Sequence, residues 1–395
     1  MASIERKLDV PVVKPNKGRL FGLDMRKAVA ILMVIALHTP LFQPDFFLSN
    51  WPESTAIRIF QYCLRVNCEP VPFFVFINGY LMFRAKNPPL KKHWKRILNF
   101  FLILIIWSSI LILTGLYLEG TPITLHVFFS QLFKTQISNH YNGVLWFLIN
   151  LIALYLIFPV LKLIFDKSPK NFTILFLLSA FFTIFLNFLG LLGDIIECYR
   201  SAGLYRDFLG FLHRFDPFGN QMYLFYFLLG GMLFLYQAKF LKNRWKWVRA
   251  GFASMVFASV FGILRSLKKQ SLYNPGFNYS QCTLTLYILG TFALFYPWKG
   301  KIPLLSHLLS CLGSSTLGIY VIHYIYVQVA KSYFDYLTLP QRFQAYLFVV
   351  ACSCICTASL SYIDFLRPLI RKKYRPDIAL FCHIPSFFRT RKLSN

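Results

Sequence analysis

Two histidines of this chain lie in long apolar runs, where an ionisable side chain is costly and is therefore a functional candidate. His38 closes the run from Ala28 to Leu37, and Lys27 immediately precedes that run. On a helix their side chains point within roughly 20° of each other, about 16 Å apart along the axis. That places a cation at one mouth of a span and an imidazole well inside it. Histidine titrates near neutrality, so His38 there can accept a proton from a hydroxyl nucleophile. A buried histidine hydrogen-bonded to a neighbouring helix is an equally simple reading of that residue alone. The second histidine, His323, follows Tyr320 by one helical turn and shares its face. The tyrosine can orient an imidazole facing the same cavity as His38, or both can belong to a structural network.

Other polar groups carry less. Asn78 needs a partner within the apolar stretch Phe73 to Tyr80, and Gly79 lets another backbone approach closely. Asp364 suits a pairing with Arg367 at a span end. Cys352, Cys354 and Cys356 fan around one helix and form no single metal site, and no metal is expected. Cys63 and Cys68 can pair only in an oxidising compartment. Cys382 beside His383 offers two ligands, too few for zinc. The stretch from Gly193 to Asn220 carries charges of both signs and reads either as a substrate-facing loop or as a solvated connection. Lys268 and Lys269 are two ordinary loop lysines.

These groups must be positioned by elements that the composition already restricts. The 395 residues carry a net charge of +27, yet only 14% are charged while 56% are hydrophobic, and 44 are Phe. Soluble domains carry about a quarter charged residues, so a soluble enzyme is excluded. Disorder is excluded by the aromatic and branched apolar content. Nucleic-acid binding would need the basic residues gathered on one solvated face, whereas here they punctuate apolar runs. A membrane helix needs about 20 mainly apolar residues. Candidate spans lie near 28–43, 64–83, 97–118, 144–165, 172–192, 220–236, 248–264, 281–298, 309–330 and 345–366, the second interrupted by Glu69, Pro70 and Pro72.

The expected fold is an all-α integral membrane protein of about ten transmembrane helices. Lys and Arg concentrate on alternate connections, notably before Ala28, between Arg84 and Arg96, between Lys239 and Arg249, and after Arg367. The positive-inside rule then places both termini in the cytoplasm. The expected organisation is an N-terminal arm at 1–27, a membrane domain at 28–366 and a basic tail at 367–395. No cleavable leader or internal repeat is read.

Together these pieces resemble the acyltransferase family 3 of integral membrane acyltransferases, which includes bacterial O-acetyltransferases of surface polysaccharides. Leu23-Asp24-Met25-Arg26-Lys27, then Ala28 to Leu37, then His38 fit its Arg-or-Lys, ten residues, His signature. Phe73-Phe74 through Gly79-Tyr80-Leu81-Met82 resembles its second-helix motif, with Asn78 where Ser is frequent. Leu145-Trp146-Phe147-Leu148 with Tyr155 and Pro159, Tyr226 to Gly230, and Gly318 to His323 resemble the later motifs in order. The family's paired arginines before the third helix appear as Lys92, His93, Lys95 and Arg96, of which Arg96 is the best match.

The resemblance implies transfer of an acyl group, most often acetyl, from cytoplasmic acyl-CoA to a hydroxyl of a cell-envelope glycan or lipid-linked sugar. It places the chain as a multi-pass protein of the plasma (inner) membrane. CoA is a polyanion, which suits Arg26, Lys27, Lys95 and Arg96 at a basic face. His38 would act as general base or acyl carrier, with Lys27, His323 and Tyr320 in the same machinery. The competing reading is a transporter or flippase of a glycan or lipid intermediate, which would show more midplane charge and half-to-half similarity. A histidine-based membrane sensor is a third, with only a short tail as output.

Overall fold

The computed structural model describes residues 20–42, 54–68, 70–85, 89–138, 143–197, 203–218, 222–269, 282–298, 303–336 and 338–361. The basic tail, with Cys382 and His383, lies outside these residues, as do Asp364 and most of the N-terminal arm. The described chain is helical: α1 Phe21–His38, α2 Thr55–Val66, α3 Pro70–Arg84, α4 Leu90–Leu118, α5 Leu125–Ser138, α6 Trp146–Lys167, α7 Pro169–Ala180, α8 Leu186–Glu197, α9 Gly203–His213, α10 Met222–Leu235, α11 Gln237–Lys242, α12 Arg244–Lys269, α13 Cys282–Phe295, α14 Pro303–Ser314, α15 Thr316–Ala330 and α16 Leu339–Ser361. A π turn at Phe181–Phe185 joins α7 to α8.

Five stretches are long and apolar enough to cross a membrane: α4, residues 143–167 including α6, α7 through α8, α12 and α16. Leu308–Ser314 and Thr316–Ala330 make a sixth if their 80° bend is one broken span, and α10 and α13 are shorter apolar helices. The architecture is therefore that of a multi-pass membrane protein. About ten crossings and cytoplasmic termini stay expectations of the charge and hydropathy pattern. Large apolar side chains face outward on the long helices, among them Phe252 and Leu264 of α12, as lipid contact requires.

Breaks fall where backbone chemistry demands them. Helix α1 stops at His38 rather than continuing to residue 43, because Pro40 drives Thr39 into an extended conformation, ψ 143°. The stretch at 64–83 divides into α2, capped by the Ser54 side chain on the Ile57 N–H, and α3, which starts at Pro70. Ser168 likewise caps α7 through the Asn171 N–H, with Pro169 in the first turn.

The centre is built by α3 against α10. A Cβ at Gly79 would lie 2.1 Å from the Phe227 carbonyl oxygen, and one at Gly230 would lie 2.3 Å from that of Phe76. Only glycine lets these two backbones touch. Below that crossing Phe83 packs on Phe165, Phe172, Phe227 and Phe158, with ring centroids 4.8, 4.9, 5.4 and 5.5 Å away. The end of α3 is closed by buried Lys162, whose Nζ donates to the Phe83 carbonyl at 2.9 Å and to Asp166 at 2.8 Å. A cation on orphan C-terminal carbonyls is favourable there.

Candidate active site

The end of α1 meets the middle of α15. The rings of His38 and His323 stand 5.2 Å apart, and the edge of Tyr324 lies 5.7 Å from His38. His323 is fully buried, whereas His38 is half-buried. The Nδ1 of His323 lies 2.6 Å from the Tyr320 backbone oxygen. A carbonyl only accepts, so Nδ1 holds the proton and Nε2 presents its lone pair. Among the described residues that buried Nε2 has no hydrogen-bond partner. The imidazole pair therefore combines one accessible ring with one fixed, unspent acceptor.

Tyr320 holds this arrangement from both of its ends. Its carbonyl fixes the tautomer of His323, and its hydroxyl donates to the Val144 carbonyl. Val144 lies in the short 3-10 turn Gly143–Leu145 that starts the Leu-Trp-Phe segment. Phe147 of that segment meets the Tyr320 ring edge-on at 5.6 Å and lies 6.3 Å from Phe74, while Trp146 packs on Tyr223. The sequence motifs thus converge on one locality although they are far apart in the chain.

The two basic residues of the signature separate. Lys27 pairs with Asp24 at 3.2 Å and keeps partial exposure. Arg26 is only 1% exposed, with its guanidinium 4.2 Å above the Phe73 ring and donating to the Tyr287 hydroxyl at 3.3 Å. Its Nε has no hydrogen-bond partner, and no carboxylate pairs with Arg26 among the described residues. A buried cation met by π faces and a hydroxyl is costly unless something else uses its charge.

A second polar line runs through α3, α4 and α6. Asn78 donates to the Phe74 carbonyl at 2.9 Å and accepts from the Tyr155 hydroxyl at 3.3 Å. The backbone carbonyl of Tyr155 lies 2.8 Å from buried His93 Nε2. Pro159 has no N–H for the carbonyl four residues earlier, and that carbonyl is Tyr155's, so His93 supplies the missing donor. The Tyr155 to Pro159 spacing announces the missing donor in the sequence, but only the fold brings His93 to it. Arg96 is half-buried, while Lys95 is exposed. The structure therefore brings His38, His323 and Tyr320 together and leaves Lys27, Arg26, Lys95 and Arg96 apart from them.

Cys63 and Cys68 are not bridged, and Cys68 Sγ lies 3.8 Å from the Met33 carbonyl. Among the described residues no three metal-ligating side chains gather. Compared with known families, residues 20–363 match the one described as an acyltransferase domain. No curated protein and no solved structure matches the chain.

Proposed function

Because the chain belongs to the acyltransferase 3 family of integral membrane acyltransferases, we propose that it moves an acyl group, acetyl first, from cytoplasmic acyl-CoA to a hydroxyl of a cell-envelope glycan or lipid-linked sugar at the plasma membrane. The observation carrying this reading is the half-buried His38 beside the unpartnered Nε2 of His323. A hydroxyl beside the pair gives its single proton to one imidazole at a time, here His38. His38 takes the hydroxyl proton as that oxygen bonds to the thioester carbonyl carbon. The carbon–sulfur bond then breaks, and the departing thiolate receives the proton. An acyl-imidazole on His38 is the two-step form of the same transfer.

Lys27, partly exposed beside Asp24, exposed Lys95 and half-buried Arg96 are the cations for the donor's phosphates. Arg26, sealed beneath Phe73 and Tyr287, places its positive charge inside the bundle, where it can stabilise charge on a bound donor. The test is release of free CoA by purified protein, with and without an envelope-glycan extract. Wild type should release CoA only with extract. His38→Ala, if it inserts and elutes as wild type does, should lose that release. Full release by the variant overturns the assignment of His38, and no release by folded wild type with any donor favours the transporter reading.

A further inference from the structure

Away from the histidines, a cavity of about 400 Å³ opens among α8, α9, α12 and α13. It lies at the His38 end of the bundle. The segment after α1 folds into α2, and α2 docks on α12 through Asn67, whose Nδ2 donates to Ser259 Oγ at 2.9 Å. Ala258 and Phe261, on either side of Ser259 in sequence, line the cavity. Its floor includes Thr283, one turn of α13 above Tyr287, the residue that accepts from Arg26.

Helix α9 roofs this cavity and has two unlike faces. Leu204, Phe208 and Phe211, continued by Phe215, form an outward stripe with exposures of 87, 53, 52 and 63%. The opposite face puts Arg206, Leu209, Gly210 and His213 over the cavity. A short helix with an apolar stripe at the end of a spanning helix lies in the membrane interface. It is clamped there by Arg206, which pairs with Asp194 at 3.1 Å and with Glu197, while Arg265 of α12 reaches the same two carboxylates at 3.5 and 3.8 Å. Within this cluster the two cations pair with the two anions, so their charges are largely spent on each other.

The space is held open by glycine. Gly190 of α8 and Gly210 of α9 both line the cavity, and a Cβ added at either meets nothing within 4 Å. Neither glycine is required by close packing, unlike Gly79. Just below Gly190 the π turn widens the helix, and Asn187, whose Nδ2 donates to the Thr183 carbonyl at 2.7 Å, faces the cavity. Phe257 lines the cavity and is 47% exposed on the lipid-facing side of α12, so the opening reaches lipid.

We propose that this crevice seats the neutral sugar headgroup of a glycolipid, whose tail stays in the bilayer beside Phe257 and Phe208. Hydroxyls of such a headgroup donate to Asp194 and accept from Arg206 and Asn187, and the ring's apolar face rests on Leu191 and Leu209. The role of this ligand as acyl acceptor rests on the transferase reading, but its binding does not. The test uses the full chain in phosphatidylcholine vesicles with a diazirine-bearing glucosyl diacylglycerol and no acyl donor. Labelling should fall on α8 and α9, within residues 187–197 and 203–213, and be displaced by unlabelled glucosyl diacylglycerol. In Gly190→Leu and Gly210→Leu it should drop about tenfold or more, because the added side chains clash with the headgroup. Leucine favours helix more than glycine, so both variants should elute as wild type does. Undiminished labelling in both variants overturns the site, and so does equal displacement by unlabelled diacylglycerol without a sugar, which would mean that the headgroup is not what binds. A failure of CoA release in the His38 experiment leaves this readout unchanged, so the two ideas fail separately.

Discussion

Replacing His93 by Phe keeps a ring beside Phe158 and Tyr155 but removes the donor that satisfies the Tyr155 carbonyl. In the apolar interior an unsatisfied carbonyl costs about 1–3 kcal/mol. The loss should be conditional on Pro159. In His93→Phe/Pro159→Ala the new N–H at position 159 reaches back four residues to that carbonyl, so most of the lost stability should return. Pro159→Ala alone should be close to neutral, because His93 already occupies the acceptor. The coupling between the two changes is then about the size of the His93→Phe loss itself. At about 2–4 °C per kcal/mol for mid-sized domains, and less for a longer chain, the single variant should lose a few degrees of thermal stability in detergent. Fluorescence-detected elution after heating would measure it for all four proteins. Equal stability of His93→Phe and the double variant would refute the reasoning, since the His93 contribution would then be independent of the proline.

Arg26→Met should leave the fold as stable as wild type or more so, because it removes a buried charge that no carboxylate neutralises. CoA release should fall about tenfold or more if the charge serves a bound donor, and heated-elution and CoA-release assays separate the two effects. His323→Phe keeps a planar ring at slightly larger volume and removes the unspent Nε2, so transfer should drop by about 10²–10⁴ with near-normal elution. Full transfer by that variant would mean that the histidine pair is structural. Gly79→Ala drives a methyl into the Phe227 backbone and should cost about 1–3 kcal/mol or more, read as loss of monodisperse protein.

Which parts of this arrangement the sequence discloses follows from the range of each interaction. Helix existence and the motif order depend on local hydropathy and spacing, and both were legible. The end of α1 is announced by Thr39-Pro40, although hydropathy runs on past it to Phe42. The 80° bend between α14 and α15 has no proline to announce it. Helical phase correctly separates the directions of Arg26 and Lys27, yet nothing local says that Arg26 is the one sealed under Phe73. The sequence leaves Tyr320 either to orient His323 or to join a structural network, and in the fold its backbone oxygen meets the His323 ring while its hydroxyl serves Val144. A side-chain reading of the one-turn spacing finds the right pair with the wrong atoms. In the charged stretch after Gly193, the apolar residues Leu204, Phe208, Phe211 and Phe215 already have the helical period that α9 adopts, though the charges between them mask it in a hydropathy reading.

Two of the most buried helices, α3 and α10, are short for a bilayer, and that bears on how two substrates can meet. Helix α3 has 15 residues and α10 has 14, about 22 and 21 Å at 1.5 Å per residue, against about 30 Å of hydrocarbon. Most residues of both helices are buried, whereas the hydropathy windows of α12 and α16 are only 17 and 22% buried. A helix covered by protein need not match the bilayer, because its ends can be satisfied by side chains rather than by water. Lys162 does this at the end of α3, and the hydroxyl of Tyr80 donates to Gln237, whose amide donates to Tyr296 at 2.6 Å. Long lipid-facing helices therefore enclose a thinner centre with polar groups set below its rims. For the proposed reaction, the donor entering at one rim and the acceptor at the other each traverse less than a full bilayer. His38, at the end of α1 rather than within a continuous span, stands where that shortened path runs out.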